Sequence, residues 1–430
     1  MHGRTKGMME YIIKRFFPKA KAMMRKTAPQ DREPYGIPLY ICTMDVLQES
    51  SHVRDGLLGL AIGDAIGVPF ELASRGFLEK EPVTDMVGHK AHDQPVGTWS
   101  DDASLTFCTA ESLLNGYDPE RMGQGFLKWF DEGHWSARGK AFGSGGTTRA
   151  ALSRMRNGSK AVGAGSTEQK DSGNGSLMRI LPLAFHVKGM PMEEQWRIIA
   201  EASAITHGSD VAKICCFYYV QFAIGLLQGK ARMDIYFELQ RRIPAFFLGL
   251  HGEACKAAVD TMRRLLDGSI FDLSKESIKS DSYALHTLEA SIWCLMTTDA
   301  YGEAVLKAVN LGGDSDSTAA VTGGLAGISY GLKDVPERWV TSLARLDDIL
   351  LLCEKFDASL RQNQFEMDAK DAERPRPYGD GKNFREVPGG HIIVQGPGGA
   401  AVFCNDEMQA AEVWEALDKA YQYAFEISKQ

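Results

Sequence analysis

Small and apolar residues crowd two stretches of this chain. Residues 55–71 read Asp-Gly-Leu-Leu-Gly-Leu-Ala-Ile-Gly-Asp-Ala-Ile-Gly-Val-Pro-Phe-Glu, with glycine recurring at Gly56, Gly59, Gly63 and Gly67. Glycine is unfavourable inside a helix, so this recurrence predicts a helix packed very closely against its neighbours. Pro69 predicts its end. Residues 310–331 read Asn-Leu-Gly-Gly-Asp-Ser-Asp-Ser followed by a run of Ala, Gly and Val almost free of charge. That pattern predicts a glycine-hinged loop opening into a second buried helix. Residues 97–115 predict an amphipathic helix with apolar positions Leu105, Cys108 and Leu113, and residues 193–230 and 252–309 are helical by periodicity. Strand-like stretches are almost absent before residue 360, so the core is predicted to be mostly α.

The two ends differ from this body. Residues 1–40 hold nine Lys/Arg against three acids, with Met8, Ile12 and Phe16 at helical spacing and Pro18 interrupting the pattern. They read as two short basic helices, for which three roles stay open. They could dock on a partner or an acidic surface, lie on a membrane surface, or fold onto their own domain. Residues 363–390 read as a polar connector rich in Pro and Gly. His391–Cys404 then reads as two short strands around a Gly-Pro-Gly-Gly turn, followed by a final amphipathic helix containing Trp414 and Phe425. The expected division is therefore 1–50, 51–362 and 363–430.

Composition narrows the function classes. Of 430 residues, 44% are hydrophobic and 24% charged, which describes an ordinary globular protein. A formal net charge of −8 argues against a general nucleic-acid binder. Eight cysteines without C-x-x-C spacing read as reduced, mostly buried thiols, which places the protein in the cytoplasm. No apolar run reads as a membrane span or a secretory leader.

The candidate chemistry lies in carboxylates. Asp314 and Asp316, each followed by a serine (Ser315 and Ser317), open one helix, and Ser100, Asp101 and Asp102 open another. Either group could cap a helix. However, a cap needs one acid, and adjacent like charges repel unless a cation neutralises them. Hard oxygen donors suit Mg²⁺, Mn²⁺ or Ca²⁺ rather than zinc. Asp64 reads as a structural hydrogen-bonding group, and Glu71 is the better functional candidate. Glu71, Asp101, Asp102, Asp314 and Asp316 brought together would carry five negative charges, of which two divalent cations would offset four. Two glycine-rich loops, Gly143-Ser-Gly-Gly-Thr-Thr148 and Gly173-Asn-Gly-Ser-Leu-Met-Arg179, match neither a P-loop nor a dinucleotide fingerprint, although loops of this kind expose backbone N–H groups to phosphates. His207 reads as structural or substrate-orienting, since no second histidine four residues on completes a zinc site.

These motifs together resemble the ADP-ribosylglycohydrolase family, which includes the hydrolase that reactivates dinitrogenase reductase and the ADP-ribosylarginine hydrolases. The resemblance rests on Gly63–Glu71, Trp99–Asp102, Gly173–Arg179, Thr206-His207 and Gly312–Ser317, in the family's order, across about residues 54–360. It implies an all-α orthogonal helical bundle, here with a short β-containing C-terminal appendage. It also implies a central cleft with two Mg²⁺ or Mn²⁺ ions. Carried over, Ser100, Asp101, Asp102, Asp314, Asp316 and Ser317 are the metal ligands, with serine at positions 100 and 317 where threonine is common. Glu71, Asp101 and Asp316 become catalytic. Gly143, Gly145, Thr147, Asn174, Gly175, Ser176, Met178 and His207 become substrate contacts. The implied activity is removal of ADP-ribose from modified protein side chains, arginine first. Serine, a nucleic-acid base and O-acetyl-ADP-ribose stay open as alternatives. A second implied role is an immunity protein whose residues 1–50 bind and occlude an ADP-ribosyltransferase toxin.

Overall fold

The structure is a computed structural model that describes residues 51–251, 256–373, 384–387, 391–395 and 401–404. The expected N-terminal arm and the final amphipathic helix lie outside these residues. The chain divides into two units between Gln362 and Asn363.

The longer helices of the first unit are α1 (His52–Gly67), α2 (Asp101–Leu113), α3 (Pro119–Glu132), α4 (Gly146–Arg156) and α5 (Met192–Ala204). They continue as α6 (Asp210–Leu227), α7 (Arg232–His251), α8 (Ala284–Met296), α9 (Tyr301–Val309), α10 (Ser315–Tyr330) and α11 (Leu346–Glu373), whose last residues from Asn363 on fall in the second unit. Short helices and 3₁₀ turns join them, and among the described residues of this unit no named strand occurs. The all-α expectation holds.

The glycines of the two small-residue stretches meet. Helices α1 and α10 lie along one another more extensively than any other pair. A side chain at Gly63 would run into the carbonyl of Ala319, and one at Gly67 would strike the backbone of Asp316. From the other side, Gly323 faces the carbonyl of Gly59, and Gly327 that of Asp55. Two backbones can approach this closely only where both helices lack side chains at the contact, which is why glycine is tolerated despite its cost to helix stability. Tyr301 Oη donates to Gly59 O at 2.6 Å and Tyr219 Oη to Val321 O at 3.0 Å, so the buried seam keeps its polar groups satisfied. Helix α1 ends at Gly67 and passes into a 3₁₀ turn, Val68–Phe70, as Pro69 predicts.

Helix α6 packs against α5, α7, α8 and α10. The expectation that no apolar run is long enough to span a membrane is corrected here, since by length and composition α6 could cross one, but 83% of that stretch is buried inside the fold. It is the central core helix of this unit. Cys108, Cys215, Cys216, Cys294 and Cys353 are all buried and unpaired.

In the second unit β2 (His391–Gln395) pairs antiparallel with β3 (Ala401–Cys404), Gln395 opposite Ala401, and the expected turn between them lies outside the described residues. The polar-connector reading of 363–390 needs correction. Helix α11 runs to Glu373, and a further strand, β1 (Phe384–Val387), pairs with β2. Phe384-Arg-Glu-Val387 places its apolar residues only at the two ends, so the alternation that marks a strand is missing.

Candidate active site

The starts of α2 and α10 both border a cavity of about 260 Å³. Its walls include Glu71, Asp101, Asp102, Asp314, Asp316 and Ser317. Each acid is held by a different local device. Asp64, on α1, is fully buried. Its Oδ1 and Oδ2 accept from Ser100 N at 3.0 Å, and Oδ2 accepts from Ala103 N at 2.9 Å. The expected structural bond is therefore present, and it ties the first turn of α2 to α1. Ser100 caps α2, accepting from Asp102 N at 3.2 Å, and its Oγ donates to Asp102 Oδ2 at 3.0 Å. Asp102 Oδ1 is buried and has no hydrogen-bond partner.

The α10 start is built differently. Gly312 and Gly313 carry φ of +72° and +70°, the left-handed region that glycine enters without strain, and they turn the chain sharply ahead of Asp314. Gly313 N donates to Ala73 O at 2.9 Å and Leu72 N to Gly313 O at 2.7 Å, which fastens the loop after Glu71 to this turn. Asp314 occupies the N-cap position, yet its side chain caps nothing. Instead its Oδ2 accepts from Asn174 Nδ2 at 2.8 Å, and Asn174 Nδ2 also donates to Thr287 Oγ1 at 2.9 Å. The helix-cap alternative thus fits Ser100 and fails for Asp314.

Electrostatics agree with a site that awaits positive charge. Burial first, then repulsion from Asp64, raises the Asp101 and Asp102 carboxyls well above their usual range. Burial, then Asp314 and Asp102, does the same to Asp316. Burial pushes Asp64 up to about 7, against the pull of the Ser100 and Ala103 N–H groups. Oxygen atoms of Asp64, Asp102 and Asp316 lie within 4.8 Å of one another, and so do those of Glu71, Asp314 and Asp316. An all-oxygen donor set, an unpartnered buried carboxylate oxygen and mutually repelling acids together fit a hard divalent cation.

Glu71 follows the 3₁₀ turn after α1, and Leu72 at φ +63° reverses the chain just beyond it. Its Oε2 pairs with His92 Nε2, and the His92 ring packs on Phe142 at 5.5 Å. The sequence reading did not single out His92; it sits in a polar loop with no motif around it. Ser282, Thr148, Gly146 and Gly173 also line the cavity and were not chosen. Of the expected substrate contacts, Gly143, Gly145, Thr147, Asn174, Gly175, Met178 and His207 line it. Gly143, at φ +90°, passes so close to Asp101 Oδ1 that a side chain there would collide with it. Two expected residues do not line the cavity. Ser100 is taken up by its cap. Ser176 is fully buried, and its hydroxyl faces Cys216 Sγ at 3.4 Å and Ser203 Oγ at 2.9 Å, in the core. Burial, then Arg179, lowers His207 to about 3, which keeps it an uncharged imidazole, and it belongs to neither group of clustered acids.

The all-α body carries a cleft lined by clustered acids and glycine loops, and its relatives identify the class of enzyme. The ADP-ribosylglycohydrolase family model matches residues 45–366, and this chain belongs to that family of glycosidic-bond hydrolases. It is 30% identical over 337 residues to the ADP-ribosylarginine hydrolase Tri1 of Pseudomonas putida strain GB-1, covering 75% of this chain and 82% of the relative. It is 25% identical over 296 residues to the ADP-ribosyl-[dinitrogen reductase] glycohydrolase of Rhodospirillum rubrum, covering 66% and 88%. A solved structure described as an ADP-ribosylglycohydrolase-related protein complex superposes with a TM-score of 0.60 at 29% identity, over 72% of this chain and 98% of that one. The chain is an ADP-ribosylhydrolase.

Proposed function

We propose that this enzyme removes ADP-ribose from modified arginine side chains of a protein, with divalent cations held by Asp101, Asp102, Asp314, Asp316 and Ser317. The carrying observation is that these acids and Glu71 line the same cavity, one of them keeping a buried oxygen without a partner. The arginine linkage is supported by the relatives named ADP-ribosylarginine hydrolase. Two clusters sharing Asp316 support two adjacent cation positions, taken as Mg²⁺ with Mn²⁺ as the alternative. The buried, unpaired cysteines support work in a reducing compartment, the cytoplasm.

Hydrolysis breaks the bond between the ribose anomeric carbon and the guanidine nitrogen, and the bonding pair leaves with the nitrogen. Water supplies the new oxygen and gives up a proton, while the leaving guanidine gains one. Glu71 is the acceptor for the proton of that water, a role supported by its place beside Asp314 and Asp316 and by the His92 contact that holds its carboxylate. A bound divalent cation supplies Lewis-acid charge and a fixed seat for sugar hydroxyls. The Gly143–Thr148 loop and Asn174–Gly175 form the walls against which the rest of the ligand lies. The docking role expected of residues 1–50 falls on residues outside those described.

The test uses proteins carrying ADP-ribose on arginine or on serine, and O-acetyl-ADP-ribose as a third substrate. Free ADP-ribose is followed after EDTA treatment and again after Mg²⁺ is restored. Release from arginine alone, lost in EDTA and regained with Mg²⁺, is expected. Undiminished release in EDTA would overturn the cation assignment, and preference for serine would overturn the linkage.

A further inference from the structure

Arg179 is fully buried, yet among the described residues no carboxylate pairs with it. Its Nη2 donates to Ala202 O at 3.0 Å and to Thr206 Oγ1 at 2.9 Å. Nε and Nη1 have no hydrogen-bond partner, and the guanidinium lies over the Phe126 ring, 4.4 Å from its centroid. Burying a cation on such terms is costly, and packing alone does not require it. The Thr206 hydroxyl that Arg179 touches also lies 2.9 Å from His207 Nδ1.

Donor and acceptor accounting decides what this chain of contacts does. A guanidinium can only donate, so Thr206 Oγ1 must accept from it. The oxygen has a second lone pair and could also accept from an Nδ1–H, but the fully buried hydroxyl hydrogen would then have no acceptor among the described contacts; donated to His207 Nδ1 it is satisfied, so the arrangement favours an accepting Nδ1. A neutral imidazole that accepts at Nδ1 carries its proton at Nε2. We infer that Arg179 and Thr206 are positioning residues that lock His207 in the Nε2–H tautomer, making it a permanent hydrogen-bond donor into the cavity.

The surroundings of Nε2 fit that role. His207 lines the cavity opposite the Gly173–Gly175 turn. A side chain at Gly175 would come within 2.7 Å of His207 Cε1 and 3.3 Å of Nε2, and one at Gly173 within 3.3 Å of Nε2. The two glycines therefore keep the Nε2 side clear for an acceptor oxygen of the ligand. The charged groups acting on His207 are Arg179, which disfavours a second proton, and Asp171, which favours one. Burial and Arg179 outweigh Asp171, so the ring is neutral and does not serve as a proton shuttle. Ser203 Oγ fixes the backbone of the same residue, donating to His207 O at 2.9 Å.

That the acceptor belongs to ADP-ribose rests on the proposed function, whereas the tautomer does not, and the experiment separates them. Full-length protein labelled with [¹⁵N]histidine is read by long-range ¹H–¹⁵N correlation without substrate or cation. His207→Gln identifies the signal by its loss. The wild type is expected to show a pyridine-like Nδ1 and a pyrrole-like Nε2. Thr206→Val, which keeps the shape and removes the hydroxyl, is expected to give mixed or reversed tautomers, and Thr206→Ser to restore the wild-type pattern. With ADP-ribosylated substrate, Thr206→Val should raise KM about tenfold with little change in kcat, the scale of one lost hydrogen bond, and Thr206→Ser should reverse it. A protonated Nδ1 in the wild type, or an unaltered tautomer in Thr206→Val, overturns the inference. Folded Arg179→Met with a single unaltered tautomer would remove Arg179 from it, and if that variant does not fold, the Thr206 pair decides.

Discussion

The two acidic helix starts look alike as sequence and differ as structures. At the start of α2 the protein satisfies its backbone N–H groups, with Ser100 capping the helix and Asp64 taking those of Ser100 and Ala103, and leaves Asp102 Oδ1 without a partner. At the start of α10 the capping position belongs to Asp314, whose carboxylate turns away toward Asn174 and the cavity. The first start is anchored by the fold. The second leaves its cap unmade, and the carboxylates of both starts are left to be neutralised from outside the chain. A helix N-terminus that declines its own cap is a stronger pointer to a ligand than one that merely contains acids.

That contrast can be broken from either side. Asp314→Ala should lower ADP-ribose release on the order of a thousandfold, the scale of losing one preorganised electrostatic group. The metal-free protein should keep its Tm, because relief of repulsion with Asp102 and Asp316 offsets the lost Asn174 bond. A fall in Tm of the size expected for a lost cap would show that Asp314 is structural after all. Gly67→Ala attacks what both starts share. Its methyl would push on the Asp316 backbone, costing about 1–3 kcal/mol by overpacking, with turnover falling further because a ligand moves. Denaturant midpoints and kinetics on the same preparation would separate the two effects. Ser100→Ala should cost about 1 kcal/mol with or without Mg²⁺ and leave most turnover intact, since it removes a cap. A loss of stability that appears only with Mg²⁺ would instead make Ser100 a ligand.

The smallest effect is expected at a carboxyl outside both clusters of acids, which serves as their control. Glu289, on α8, is buried with Arg264 Nη1 at 3.1 Å, and burial raises its carboxyl to about 7 from 4.5 despite that neighbour. The folded chain thus holds this proton more tightly than the unfolded one. Stability from it is fully present below pH 4.5 and is lost as pH rises through about 7. Glu289→Gln cannot titrate and should lose less Tm between pH 5 and pH 8, by roughly 2 °C. An identical pH slope in both proteins would refute the assignment.

Much of this was legible in the residues. Glycine at 56, 59, 63 and 67 announced a close helix contact, and Pro69 its end, because both act through local backbone sterics. The doubled acids announced the cleft because like charges side by side need a reason. What the sequence did not disclose depends on distant partners. His92 reaches Glu71 across 21 positions, in a loop with no pattern of its own. Ser176 shares a glycine loop with cavity residues, but it faces the core because Cys216 and Ser203 lie behind it. Strand β1 has two charged residues between its apolar ends and is defined only by its pairing with β2.

The Asp64 carboxylate also sets an order of assembly. It belongs to α1, yet it organises the first turn of α2, which carries Asp101 and Asp102. Those two acids cannot take up their native spacing until the two helices have docked, so a partly folded chain holds no preformed cation cradle. Tight cation uptake should therefore report the completed fold, and a chain stalled before this docking would remain free of metal even where metal is abundant.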